Sequence, residues 1–263
     1  MRIGAMTNPG LELIPQIHWI GQKGFDYVDL ALEPPRTDIS DIHLQALVEA
    51  LGLYDLGIIV HTSPYLPVTN PHKSARAAAG EEMSRALKLA GDLGSGLLTT
   101  HYLGGPALFT SEAVLDFYVL LLEELCGQGK ATDVTVALEN SPRNQDEVRI
   151  FRSIFERVPD VGLLLDVGHT HINTRENSAG EFLEDEVLGN RLCHVHISDN
   201  DGRNDLHVPL GSVRNGIDWN TVVGHLKGHG YDGTVTIEVF CPDRGYLTAS
   251  RDKFRALWNE HGK

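Results

Sequence analysis

The chain has 263 residues, is 41% hydrophobic, and carries a formal net charge of −14 with its 13 histidines counted neutral. That length suits two small domains or one large α/β barrel, and it buries roughly 70–75% of the unfolded surface. Recurring apolar runs exclude a disordered chain, the acidic balance argues against general attraction to phosphate backbones, and the absence of a long apolar run leaves no membrane span or secretory signal to expect.

In chain order, short runs rich in Val, Ile and Leu alternate with longer amphipathic segments. The runs are Arg2–Ala5, Tyr27–Ala31, Gly57–Val60, Gly96–Thr100, Val134–Leu138, Val161–Leu165, Leu192–Ile197 and Thr234–Val239. Their length and composition suit buried parallel strands. Between them the pattern predicts helices over Leu11–Gly21, Ile42–Leu53, Ala77–Leu93, Ser111–Gly127, Gln145–Arg157, Ser178–Leu188, Trp219–Lys227 and Leu247–Trp258. Ser111 and Ser178 read as helix starts, Gly127 and Gly228 as stops. Eight strands alternating with eight helices predict a (β/α)8 TIM barrel in a single domain over residues 1–263. A doubly wound sheet is disfavoured because no GxGxxG follows the first strand.

Six consecutive strands finish on a side chain able to ligate a metal or move a proton. These are His61 after "GIIV", His101 after "GLLTT", Glu139 after "VTVAL", Asp166 after "VGLLL", His196 after "LCHV" and Glu238 after "TVTI". Singly, each reads as a hydrogen-bonded histidine or a helix cap. In a barrel the strand ends converge on one face. Six such groups there would be costly without a shared partner, and a divalent cation supplies one. Imidazole mixed with carboxylate suits Zn, Mn or Co, in one to three ions.

Loop residues extend the set. "DVGHTH" places His169 three residues beyond Asp166, and "NDLH" sets Asp205 and His207 two apart, which in extended chain points both the same way. His194, in phase with His196 but one layer deeper, reads as barrel interior. His18, His43, His72, His225, His229 and His261 read as solvated surface. Glu33 in "LALEPP" faces the mouth as a candidate substrate residue. Cys126, Cys193 and Cys241 lack CxxC spacing, so the expectation is free, buried thiols in a reducing, cytoplasmic setting; Cys241 alone, three residues past Glu238, is a candidate for the vicinity of the site.

The phrases "VHTSPYL", "THYLGG", "ALENSP", "LLDVGHTH", "HVHISDNDGRNDLHVPLG" and "TIEVF" occur in that order. Together they resemble the xylose isomerase-like barrels, which join sugar and sugar-phosphate isomerases and epimerases with endonuclease IV. The resemblance spans nearly the whole chain. It implies, for epimerase-type members, one metal held by Glu139, Asp166, His196 and Glu238. For endonuclease IV it implies three zincs held by His61, His101, Glu139, Asp166, His169, His196, Asp205, His207 and Glu238.

The loops favour the first branch. "EPPRTDISD" and "SDNDGRND" are acidic, and no stripe of Lys and Arg is evident. The expected function is a metal-dependent isomerase or epimerase of a small sugar or sugar phosphate. Proton transfer would pass through an enediolate that the metal stabilises. Glu139 and Glu238 approach the axis from different strands and are the expected acid/base pair; His169 and Arg203 are candidates for orienting substrate oxygens. The alternative is zinc-dependent phosphodiester hydrolysis at abasic DNA. A non-catalytic binder is disfavoured because it needs no acid/base pair. The expected partner is a small sugar, with no membrane; nucleic acid is disfavoured and belongs to the alternative reading, and exposed barrel helices often pair, so a homo-oligomer is compatible.

Overall fold

The computed structural model describes residues 1–142, 147–174 and 176–261. The eight apolar runs form β1 (Arg2–Met6), β2 (Tyr27–Leu32), β3 (Gly57–Thr62), β4 (Leu97–His101), β5 (Thr135–Glu139), β6 (Gly162–Asp166), β7 (Leu192–Ile197) and β8 (Thr234–Ile237). All pair in parallel, each with its neighbours in sequence, and β1 closes on β8 to complete a barrel. Each pair of strands consecutive in sequence is joined by a helical crossover on the outside, as parallel pairing requires.

The period-2 alternation of a strand sorts the side chains into two layers. Val28, Leu30, Val60, Leu98, Val136, Leu138, Leu163, Leu165, Val195 and Ile197 point outward into one cluster with Phe151, Phe155, Phe182 and Phe254 of the helices. Each such aliphatic side chain contributes about 1.5–3 kcal/mol by burial. Tyr27, Ile59, Leu97, Ala137 and Leu164 point inward and fill the lower barrel. Tyr27 fits because β1 offers Gly4 beside it: a Cβ there would sit 2.2 Å from the tyrosine ring.

The helices are α1 (Leu13–Gln22), α2 (Leu44–Gly52), α3 (Lys73–Asp92), α4 (Ser111–Thr132), α5 (Glu147–Arg157), α6 (Ala179–Glu184), α7 (Glu186–Gly189), α8 (Trp219–Gly228) and α9 (Gly245–Glu260). Three details correct the sequence reading. The helix expected over Ser178–Leu188 is two. Asp185 leaves helical geometry at ψ 120° and its carboxylate accepts from the N–H groups of Val187 and Leu188. α4 does begin at Ser111 as expected, but the side chain that caps it is Thr110, accepting from the Ala113 N–H at 3.2 Å. Gly127 does not stop α4, which continues to Thr132 and ends where Asp133 turns left-handed at φ 57°. Of the expected Gln145–Arg157, residues 145 and 146 lie outside the described residues. No helix among those described is long and apolar enough to cross a membrane.

Candidate metal and acid/base site

The site grows out of the inward layer. Two residues above Ile59 on β3 stands His61; two above Ala137 on β5, Glu139; two above Leu164 on β6, Asp166; and two above His194 on β7, His196. The register sets these ends side by side: His101 pairs with Glu139, and Asp166 with His196. A step of two along β3, β5 and β6 thus converts an apolar plug into part of a polar ring at the C-terminal mouth, while β7 carries an imidazole in both layers.

Nine of the sequence-predicted residues come together in three groups, within each of which the potential ligand atoms lie within 4.8 Å of one another. Four of them, Glu139, Asp166, His196 and Glu238, form the deepest group. His61 and His101 join Glu139 in the second, with their Nε2 atoms 3.0 Å apart and 3.5 and 3.4 Å from Glu139 Oε2. In the third, Asp205 Oδ2 lies 3.2 Å from His169 Nε2 and 3.1 Å from His207 Nε2. Glu139 belongs to two groups. Gly168 lets the backbone pass close over this floor: a Cβ there would meet Ser198 Oγ at 2.8 Å and Asp166 Oδ1 at 3.0 Å.

The hydrogen bonds show which atoms remain free to ligate. His169 Nδ1 donates to the Asn140 carbonyl at 2.7 Å, and His207 Nδ1 to the Glu238 carbonyl at 3.3 Å. In the neutral rings the Nε2 lone pairs then face the Asp205 carboxylate, acceptor against acceptor. His196 Nε2 donates to Asp29 at 3.0 Å, so its Nδ1 lone pair faces Glu238 Oε2 at 2.9 Å. Buried Glu139 Oε2 and Asp166 Oδ2 have no hydrogen-bond donor. Acceptors converging without donors need either protons or a cation, and the donor set of imidazole and carboxylate fits a divalent ion such as zinc.

The electrostatics agree. Burial opposes charging of His169, yet Asp166 and the bond to Asp205 raise it well above the usual imidazole range. His196 is raised against burial by Asp29 and Glu238, and His207, against burial, by Glu238 and Asp205 to about 9. Burial lowers His61 to about 4. Burial raises Glu139. For Glu238 burial pulls upward, but the charge of His207 and the bond from His196 hold it well below the usual carboxylate range. The two glutamates are thus pushed apart.

Several expectations need correction. Asp205 and His207 do meet, though not as extended chain: His207 adopts φ 45°, in the left-handed region. Arg203 does not reach the mouth. It is exposed, in a turn where its N–H donates to Asp201 Oδ1 at 2.9 Å. Glu33 is half-buried at the rim, and burial raises its carboxyl. His18, His225 and His229 are half-buried, not solvated; His229 Nε2 donates to the Gly189 carbonyl at 2.9 Å. Cys126 is buried, but Cys193 and Cys241 are only half-buried, and Cys241 lies in a separate groove with Trp19 and Arg244. His194 has no exposure and bonds Thr234 and Asp29 inside the barrel.

Three buried carboxyl groups escaped the sequence reading: Asp29, Glu147 and Asp199, the last accepting from the Gly211 and Ile217 N–H groups in the loop after β7. Asp29 sits mid-strand in "YVDLAL", where a charge in an apolar run was the available signal. Glu147 opens α5, where an acid looks like an ordinary first-turn residue; it accepts from the Ser141 N–H.

Above the three groups lies a cavity of about 630 Å³. Met6, Leu32, Tyr65, Leu103 and Phe240 give it apolar walls, and Glu33, Glu139, Asp205 and Glu238 bring carboxylates. No Lys or Arg lines it among the described residues.

Barrel, inward strand-end donors and mouth cavity together define a (β/α)8 protein built around an acid–imidazole centre. A family model described as xylose isomerase-like TIM barrel matches residues 17–257, and the chain belongs to that family. It is 29% identical over 238 residues to an uncharacterized protein of Methanocaldococcus jannaschii, covering 86% of this chain and 79% of that one. Among solved structures, a D-tagatose 3-epimerase-like protein superposes with a TM-score of 0.87 at 23% identity over 100% of both chains. The D-psicose 3-epimerase of Clostridium cellulolyticum H10, solved with D-tagatose, superposes with a TM-score of 0.77 at 19% identity, over 98% of this chain and 99% of that one.

Proposed function

We propose that the protein is a divalent-metal-dependent epimerase or isomerase of a small sugar. The observation that carries this is the pair Glu139 and Glu238, which share one four-donor group at the floor of a small cavity. About 630 Å³ lies within the range of small-molecule sites. The apolar walls suit the C–H faces of a sugar. The fold neighbours described as 3-epimerases support the same reading.

The reaction needs one ionised and one protonated carboxyl group on opposite sides of a carbon next to a carbonyl. Glu238, held ionised by His196 and His207, takes the proton from that carbon. Glu139, reaching the same group from β5, returns a proton to the other face. One proton leaves the substrate and one enters; the reverse reaction exchanges the roles. Glu139, Asp166, His196 and Glu238 would hold the ion, which when bound supplies positive charge against the negative charge developing on the substrate oxygens. Glu33 at the rim and His169 at the floor would bond sugar hydroxyls, between the apolar side chains of Leu103 and Phe240.

The test is a panel of ketoses and aldoses incubated in deuterated water. The expected result is solvent deuterium on carbon, dependent on metal and reduced about 10²–10⁴-fold by Glu139→Gln or Glu238→Gln. No exchange across a broad panel, or near-native exchange in both variants, would overturn the reading. A second reading has one observation in its favour: all nine donors fall into three groups around Glu139, an arrangement able to hold three ions. It is phosphodiester hydrolysis at abasic DNA, and incision of an abasic duplex by the zinc-loaded protein would replace the first.

A further inference from the structure

Asp29 lies on β2 inside the barrel, with no solvent exposure. TIM-barrel interiors are ordinarily filled by aliphatic layers, and an uncompensated carboxylate there is costly. This one is compensated on a single oxygen. Oδ2 accepts from Thr236 Oγ1 at 2.7 Å, from His196 Nε2 at 3.0 Å and from His194 Nε2 at 3.3 Å. The Thr236 hydroxyl is itself oriented by Tyr27, whose phenol lies 2.9 Å away and donates to it. His194 is steadied from its other side by Thr234 Oγ1 at 2.7 Å. Three strands thus contribute side chains that hold this carboxylate against His196, while its other oxygen, Oδ1, accepts no hydrogen bond and lies 4.0 Å from His61 Nδ1.

The other mouth histidines are treated differently. His61 Nδ1 meets the Thr99 hydroxyl at 2.6 Å, and His169 and His207 use backbone carbonyls. His101 Nδ1 has no hydrogen-bond partner. Only His196 is backed by a direct carboxylate hydrogen bond on the nitrogen away from the mouth. Because Nε2 must donate to Asp29, Nδ1 carries the lone pair, and Nδ1 is the atom 2.9 Å from Glu238. The ring cannot flip without turning a lone pair onto a buried carboxylate.

We infer that Asp29 is a positioning residue: from inside the barrel it fixes the tautomer and orientation of His196, so that Nδ1 faces the Glu139, Asp166 and Glu238 carboxylates and ligates the ion they hold. The inference rests on the proposal that the mouth binds a divalent metal. It adds a residue beyond the nine mouth donors that acts on the four-donor group by a direct hydrogen bond, against a 4.0 Å approach to His61 of the second group, since a carboxylate behind a ligand imidazole raises its basicity as well as holding its angle.

The experiment compares wild type, Asp29→Asn and Thr236→Val as full-length chains. Each is stripped of metal, checked for folding by circular dichroism and melting, then titrated with zinc against a chromophoric chelator. The expected result is a 10–100-fold weaker Kd for one ion in Asp29→Asn, with any others unchanged, and a smaller loss in Thr236→Val. A purely structural role would lower the metal-free melting temperature and leave that Kd alone. Nitrogen-15 NMR of the zinc-loaded wild type keeps the idea falsifiable if Asp29→Asn does not fold. His196 should be protonated on Nε2 and zinc-bound through Nδ1, and the opposite tautomer overturns the inference. Equal Kd values for folded Asp29→Asn and wild type overturn it too. Failure of wild type to bind any ion would instead sink the functional proposal.

Discussion

Removing metal from the protein should lower its melting temperature by an amount the mouth geometry sets. Stripped of cations, the site holds Glu139, Asp166, Asp205 and Glu238 within bonding range of one another's histidines, with Glu139 Oε2 and Asp166 Oδ2 buried and lacking donors. An ion at 100 times its Kd stabilises the folded chain by about 2.7 kcal/mol. In a chain of this size each kcal/mol moves the melting temperature by about 2–4 °C, so one ion is worth about 5–11 °C and three independent ions roughly three times that. Protons compete for the same nitrogens. His169, His196 and His207 are raised, His207 to about 9, so metal must displace protons that the empty site favours. The gain on adding zinc or manganese should therefore be larger at pH 8 than at pH 6. Thermal melts of chelator-treated protein, with metal added back at both pH values, measure it. A melting temperature indifferent to chelator and to added metal at pH 8 would refute the reasoning.

His207→Ala removes one of three donors from the outer group and should reduce the tightly held zinc by one ion, counted by plasma emission after gel filtration. An unchanged count would mean that His169, Asp205 and His207 are joined by protons alone. Glu147 gives a separate pH signature. Burial pushes its carboxyl up from 4.5 to about 8 despite the Ser141 N–H bond. Its protonated form therefore stabilises the fold fully below about pH 4, and that contribution is lost as pH rises towards 8. Glu147→Gln should be more stable than wild type by on the order of 2 kcal/mol at pH 8 and nearly neutral at pH 4. Parallel stability curves for the two proteins in urea would contradict this.

The strands were legible because parallel barrel strands are buried on both faces and read as unbroken apolar runs. Their polar last residues stood out for the same reason, which is why His61, His101, Glu139, Asp166, His196 and Glu238 could be picked by position. Asp29 was harder. It lies mid-strand, two residues below the mouth, and only the inward phase it shares with Tyr27 marks it as interior. The break at Asp185 was hidden because a capping aspartate and a helix-interior aspartate look alike until the backbone turns. The direction of Arg203 was not legible, because the turn that holds it at the surface depends on the Asp201 carboxylate, which accepts from the Arg203 and Asn204 N–H groups, and on Gly202 at φ 74°. Asp205 and His207 were grouped correctly on a wrong premise, since the left-handed turn at His207, not strand alternation, brings the two side chains together.

Glu139 belongs to two donor groups at once, and this makes their filling interdependent. An ion drawn into the four-donor group partly neutralises the carboxylate that His61 and His101 would need, and adds a like charge a few ångströms away. By linkage the penalty is mutual. Successive ions should bind with negative cooperativity, so that a singly loaded form persists over a wide span of metal concentration. The number of ions the protein carries then becomes a readout of the supply around it, and one chain can present chemically different centres without any change in its backbone.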